Sequence, residues 1–203
     1  MPMASIGHRR LGPDGLTLEM TQQEFKQTLK DGIAAIPYAS GLNNHMGSLL
    51  TRHTNQMQWV METLKENGTL YFIDSRTTSQ TVALKLAQEN HIPTRQRDRF
   101  LDDDASAAAV AYQFQQLVSE AKRRGSAIAI GHPYDTTLNL LEQQLPQLHT
   151  LGLKLVPVSE LLSGPKPPEQ HLTDNTAPRA PETQLVYNHH PSAQANRPLE
   201  LTQ

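Results

Sequence analysis

No cysteine occurs in the 203 residues of the chain. That absence excludes disulfides, thiol catalysis and thiolate zinc sites, and it leaves the redox compartment open. No apolar run reaches the ~18 residues a membrane-spanning helix needs. No basic stripe is present either. The formal net charge is −2, with 19% charged residues, so nucleic acid is a poor candidate partner. The opening Met1-Pro2-Met3-Ala4-Ser5-Ile6 has no basic n-region and no apolar h-region, so it does not read as a secretory signal. Gly-x-Gly-x-x-Gly, Walker and His-Glu-x-x-His motifs are missing, as is a Gly-x-Ser-x-Gly elbow. No feature identifies a protein partner.

What is there divides in two. Mean hydropathy is −0.53, low for a compact domain of this length. The stretch after Gly164 accounts for it. Seven of the fourteen prolines lie there, among Gln, Asn and Thr and without apolar periodicity. Such a segment cannot offset its ordering entropy. The expectation is a folded domain over 1–163 and a disordered, Pro-rich tail over 164–203.

Within 1–163 helix and strand patterns alternate. Thr21-Gln22-Gln23-Glu24 is a capping box, followed by Phe25, Leu29, Ile33 and Ile36 at helical spacing. Residues 39–43 read as a strand. Met57, Val60, Met61 and Leu64 form a helical stripe ended by Asn67-Gly68. Leu70–Ile73 is a strand ending at Asp74, and Ser79 is positioned to cap a helix through Val82–Ala87. A further strand is expected near 93–98. A long helix, begun at Asp103 or Asp104, stops at Gly125. Ala127–Ile130 is apolar on both faces, as a buried parallel strand should be. Leu138, Leu141, Leu145 and Leu148 mark a helix, Leu153–Val158 a last strand, and Ser159–Leu162 a closing turn. Residues 4–20 read as loop. Alternating strands and helices predict an α/β fold with a parallel sheet or barrel.

Four blocks could carry chemistry. Asn43-Asn44-His45-Met46-Gly47-Ser48 puts a histidine among polar groups after a strand. It suits a metal ligand or simply a turn. Asp74 ends a strand, where a carboxylate can act as base, ligand or histidine orienter, or cap the next turn. Arg95–Asp104 holds Arg97 and Asp102, which could pair or bind an anion, or belong to a surface charge cluster. Its three consecutive Asp lack the alternating ligands of a calcium loop. Gly131-His132-Pro133 is the sharpest signal, because a fully apolar strand rarely runs into such a triplet for packing alone. Strand ends gather on one rim in α/β folds, so His45 and His132 are expected to share a rim.

In this order, the blocks at 38–51, 72–77, 97–103, 126–133 and 156–162 resemble the divergent polysaccharide deacetylase family of the NodB-homology superfamily. Met1-Pro2-Met3 matches the Leu-Pro-Met segment of that family. The resemblance implies an irregular (β/α) barrel and a divalent metal, most often zinc, held by one Asp and two His. It makes His45 and His132 the metal candidates and Asp74 and Asp102 the candidate catalytic carboxylates. Asn43, Asn44, Ser48 and Arg97 are the expected substrate contacts. A metal there would activate water against an acetamide carbonyl, and a carboxylate would move the proton.

The family opens with an apolar strand ending in Asp-Asp, and no such strand precedes Met1 in this sequence. The expectation is therefore a barrel lacking its first strands, with an incomplete site. The implied activity is removal of acetyl groups from N-acetylated sugars, weak or nil in this chain. The competing expectation is a non-catalytic carbohydrate- or envelope-binding module. A periplasmic or envelope location is implied by the resemblance alone.

Overall fold

The computed structural model describes residues 1–163 except 8, 9, 13 and 69. The expected disordered tail lies outside the described residues. Seven short strands and six α-helices alternate: β1 (Pro2–Met3), α1 (Gln22–Ala34), β2 (Gly41–Asn43), β3 (His45–Met46), α2 (Thr54–Glu66), β4 (Tyr71–Asp74), α3 (Ala83–Glu89), β5 (Thr94–Gln96), β6 (Arg99–Phe100), α4 (Ala107–Arg124), β7 (Ala129–Ile130), α5 (Asp135–Gln144) and α6 (Val158–Ser163).

Every ladder is parallel. β1 pairs with β3, β4 lies between β2 and β5, and β6 pairs with β7. The α/β class and parallel pairing are as expected. The ladders remain three separate sheets, and no closed barrel forms among the described residues. Parallel strands deliver their C-terminal ends to the same side. That brings Asn43, Met46, Asp74, Phe100 and Ile130, each the last residue of its strand, toward one rim.

Local chemistry sets the helix boundaries. The Thr21 hydroxyl oxygen accepts the Glu24 N–H while the Glu24 carboxylate accepts the Thr21 N–H, completing the capping box of α1. Ser106 caps α4, where Asp103 or Asp104 was expected. Asp104 instead accepts the Ser106 N–H at 2.9 Å from a position ahead of the cap. Gly125 closes α4 in the left-handed conformation at φ 83°, where a side chain would be strained.

The described residues of 4–20 form no helix or strand, as expected, although Leu16 is fully buried and bridges Met3. Several expectations are corrected. α3 begins at Ala83 with no side-chain cap, later than Ser79 allowed. The leucine helix stops at Gln144, and Leu145–Leu151 continue as 3-10 turns around Pro146. Residues 153–157 form no strand: an apolar run becomes a strand only beside a ladder partner, and none lies there among the described residues.

The main core joins α1, α2 and α3 to β2 and β4. Fifteen buried apolar residues compose it, including Met3, Leu16, Phe25, Met61 and Phe72. Phe25 and Trp59 meet edge-to-face at 5.5 Å. A smaller cluster under α4 buries only Leu101, Val110 and Phe114. Beside it runs an open apolar groove of about 750 Å³, walled by Leu117, Leu141, Leu145, Leu148 and Val156 among others.

Candidate active site

A cleft of about 360 Å³ opens where the strand ends converge. Asn43, His45, Ser48, Arg97 and His132 all line it, so one rim gathers most of the residues singled out by sequence. The His45 and His132 rings lie 6.3 Å apart, centroid to centroid, at 77°.

His132 is held by Asp102. The Asp102 side chain is fully buried, and Oδ1 lies 2.9 Å from His132 Nδ1. Oδ2 accepts the His132 backbone N–H at 2.5 Å and the Thr137 hydroxyl at 2.8 Å. Burial alone would raise the Asp102 carboxyl. The His132 N–H, the His132 ring and Thr137 together outweigh burial and hold it below its ordinary value. An ionised carboxylate only accepts hydrogen bonds. Nδ1 therefore carries a proton toward Oδ1, and Nε2 makes no hydrogen bond among the described residues. The Gly-His-Pro triplet now has a reason. A Cβ on Gly131 would come within 3.1 Å of Asp102 Oδ2, too close for comfort.

Arg97 does not pair with Asp102. Its guanidinium donates to the Ser75 carbonyl and, at 3.0 Å, to the Arg76 carbonyl. It also lies over the Phe100 ring, 4.9 Å from the centroid. Burial lowers its pKa, but an arginine stays charged at any relevant pH.

Two expected site residues are bonded into the fold. Asn44 is 1% exposed. Its Nδ2 donates to the Met46 carbonyl at 2.9 Å, and its Oδ1 accepts the Ser75 N–H at 2.8 Å. One amide hydrogen and one oxygen lone pair thus pin β3 to the end of β4, and Asn44 also lines the cleft. Its neighbour Gly47 turns at φ 89°, where a Cβ would crowd Thr51, Met3 and Asn44. Asp74 is fully buried. Oδ1 accepts the Arg76 N–H at 2.8 Å and Oδ2 the Thr81 hydroxyl at 3.0 Å, so this carboxylate holds the turn after β4 and does not line the cleft. Asn43 is exposed and donates to Ser75 Oγ at 3.2 Å. Ser48 Oγ accepts the Ile6 N–H at 3.0 Å and fastens the chain's first turn to the rim.

The sequence reading missed Thr137, Thr77, Phe100 and Tyr134. Phe100 and Tyr134 flank the His132 ring at 5.5 Å and 5.2 Å. Thr137 lies in the first turn of α5, just after the Gly-His-Pro triplet, and that position was its only signal.

Among the described residues, no group of three His, Cys, Asp or Glu side chains could hold a metal ion. The two imidazoles are a partial set. The Asp102 bond at His132 Nδ1 is one that a ligating imidazole commonly makes, leaving Nε2 available, but no third donor accompanies the pair among the described residues. As it stands this donor set does not fit a held divalent ion.

Residues 1–162 match the model of a family described as divergent polysaccharide deacetylase. The chain is 37% identical over 181 residues to the uncharacterized protein YibQ of Escherichia coli, covering 89% of this chain and 56% of YibQ. It is 34% identical over 171 residues to an uncharacterized protein of Haemophilus influenzae, covering 82% of this chain and 61% of that one. It thus spans little more than half the length of these curated relatives. A crystal structure of an uncharacterized Agrobacterium tumefaciens protein superposes with a TM-score of 0.76 at 23% identity, covering 79% of this chain and 66% of the other. That likeness is one of fold.

Proposed function

The chain belongs to the divergent polysaccharide deacetylase family, and from that premise we propose that its cleft receives an N-acylated sugar for hydrolysis of the acyl amide. One observation carries this reading: His132, fixed by Asp102 at Nδ1, keeps Nε2 free on a rim lined by polar groups. In amide hydrolysis water adds to the acyl carbon, the C–N bond breaks, and the amine leaves with a proton. An imidazole held with Nδ1 protonated can take a proton from the attacking water at Nε2 and return it to the leaving amine. Asp102 is then a positioning residue, acting through His132. Asn43, Ser48 and the part of Arg97 left free orient the sugar, and Phe100 offers it an apolar face.

Divalent zinc enters the proposal in a limited form. His45 and His132 are two donors, zinc at His132 Nε2 would occupy the nitrogen that moves the proton, and the described residues supply no third donor. Zinc titrated into the chain should therefore bind weakly, and His45→Ala should remove that binding. No carboxylate shares that proton transfer, because Asp74 and Asp102 are both committed within the protein. Turnover by the chain is accordingly proposed to be weak. The same commitment favours a second reading, a carbohydrate-binding module without turnover. A periplasmic or envelope location is proposed on family likeness; no described helix is long and apolar enough to cross a membrane.

Nuclear magnetic resonance tests the reading. Titration with N-acetylglucosamine oligomers should shift the ring protons of His45 and His132. Any acetate released should fall at least about tenfold in His132→Ala. Binding without release supports the module. Resonances unmoved by any N-acetylated sugar overturn both readings.

A further inference from the structure

Among the described residues no carboxylate lines the cleft, and the Arg97 guanidinium is its one permanent charge. Asp74 and Asp102 are buried, with their oxygens bonded inside the protein. Asp103, whose charge also acts on Arg97, lines a different hollow. A ligand in the cleft therefore meets the guanidinium with no carboxylate beside it.

Arg97 is held still for such a contact. Its Nε and Nη2 donate to the Ser75 and Arg76 carbonyls, and it lies over the Phe100 ring. The N–H groups of Nη1 make no hydrogen bond among the described residues, so donors already fixed in place remain for a ligand. A second cation stands close by. Arg76 is exposed in the turn after β4, near enough for its charge to lower the Arg97 pKa. Two like charges side by side destabilise each other, and an anion between them relieves the repulsion.

The hydroxyls agree. Ser48 Oγ accepts the Ile6 N–H, which leaves its own proton to donate. Ser5 also lines the cleft and is 9% exposed, and its hydroxyl oxygen is buried with no partner. An unpaired buried hydroxyl is costly, and a ligand oxygen would supply the missing acceptor.

Resting on the reading of the cleft as a site for an N-acylated sugar, we infer that this sugar is acidic and carries a carboxylate or a phosphate beside its acyl amide. Arg97 grips that group through Nη1, Arg76 adds its charge, and Ser48 donates to one of its oxygens. The neutral amide is left to His132.

The test measures binding to the full chain by calorimetry at low and high salt. The ligands are N-acetylglucosamine, N-acetylmuramic acid (the same sugar with a lactyl carboxylate), N-acetylglucosamine-6-phosphate and inorganic phosphate. At low salt at least one acidic sugar should bind about tenfold or more tightly than the neutral one, and the tighter of the two identifies the anion. Salt should shrink that preference. Arg97→Gln should abolish it. Arg76→Gln, which alters an exposed side chain, should cut it at least about threefold with the melting temperature unchanged. Equal affinity for neutral and acidic sugars overturns the acidic ligand and leaves the cleft reading standing, as does an Arg76→Gln variant that keeps the full preference. Inorganic phosphate bound as tightly as the sugar phosphate also overturns it, because the anion is then held without a sugar. A chain that binds no N-acetylated sugar, neutral or acidic, overturns the cleft reading and the acidic ligand with it.

Discussion

The half of the molecule that carries His45 and the half that carries His132 are held together by different forces. Around α1, α2 and β4 the apolar core is continuous, and Phe25, Phe72, Met61 and Leu64 are fully buried. Around α4, β6 and β7 three buried apolar residues sit beside an open groove, and buried polar pairing does much of the holding. Asp98 is bound to Arg124 and the Ile128 N–H, Glu120 to Arg99 and Arg124, Asp102 to His132 and Thr137. Apolar burial is indifferent to pH and is strengthened by structure-making salts. Charge pairing depends on protonation. The site therefore spans a rigid wall and a conditional one.

The sharpest way to break this comparison is to cut one phenylalanine from each half. Phe72→Ala should cost about 3–5 kcal/mol, because its surroundings are too well packed to collapse. Phe114 is 5% exposed beside the groove. Phe114→Ala should cost at most about 3 kcal/mol, because less packing is lost and the site can close. Urea unfolding followed by tryptophan fluorescence and circular dichroism measures both. Equal costs would mean that the second half is as tightly packed as the first.

Acid should separate the halves next. The Asp102 and Glu120 carboxyls are both held below their ordinary values; in each, burial pulls upward and is outweighed, by His132 and Thr137 for Asp102 and by Arg124 and Arg99 for Glu120. A carboxyl depressed in the folded state contributes stability above its unfolded pKa, ~3.9 for Asp and ~4.3 for Glu. That contribution fades as pH falls through the folded pKa. The other half also holds depressed carboxyls, Glu24, Glu62 and Glu66, but Glu62 and Glu66 pair at the surface, where such pairs contribute little. The α4–β7 half should therefore loosen first on acidification, seen as early amide exchange there. Asp102→Asn should cost about 1.5–3 kcal/mol at neutral pH. Its deficit against wild type should shrink as the pH drops below ~4. A deficit that stays constant down to acid unfolding would mean the carboxylate's charge contributes nothing.

The same contrast explains what the sequence disclosed. In the first half local signals and tertiary burial agree. The Thr21 box formed, and Met57, Val60, Met61 and Leu64, read as one stripe, are all buried. In the second half they diverge. Residues 153–157 have the composition of a strand and no ladder to join. Leu145 continues the leucine spacing, but Pro146 sits at the start of a 3-10 turn. At the site, the His45 and His132 blocks were legible because Asn, Gly and Pro punctuate strand ends. The union of Asp102 with His132 was not, because no local pattern connects residues thirty positions apart. Nor was the fate of Asn44 and Asp74. A polar side chain looks the same in sequence whether it faces a ligand or satisfies the backbone beside it.

The finest test of the comparison uses one helix cap from each half. Thr21 caps α1 with a complete box, and Ser106 caps α4 with a single bond of 3.4 Å to the Ala109 N–H. α1 buries Phe25 and Leu29 in the main core, so its first turn cannot fray without disturbing that packing. Thr21→Ala should therefore lower global stability by about 1 kcal/mol. α4 begins with exposed residues, and its first buried side chain is Val110. Ser106→Ala should unravel that opening turn locally, costing about 0.5 kcal/mol or less of global stability. It should instead speed amide exchange at Ala109 and Val110, whose N–H groups bond Ser106, since partial opening draws on local rather than global free energy. If Ser106→Ala lowers global stability as much as Thr21→Ala, with no local increase in exchange, then α4 unfolds only with the whole domain and the two halves are one cooperative unit.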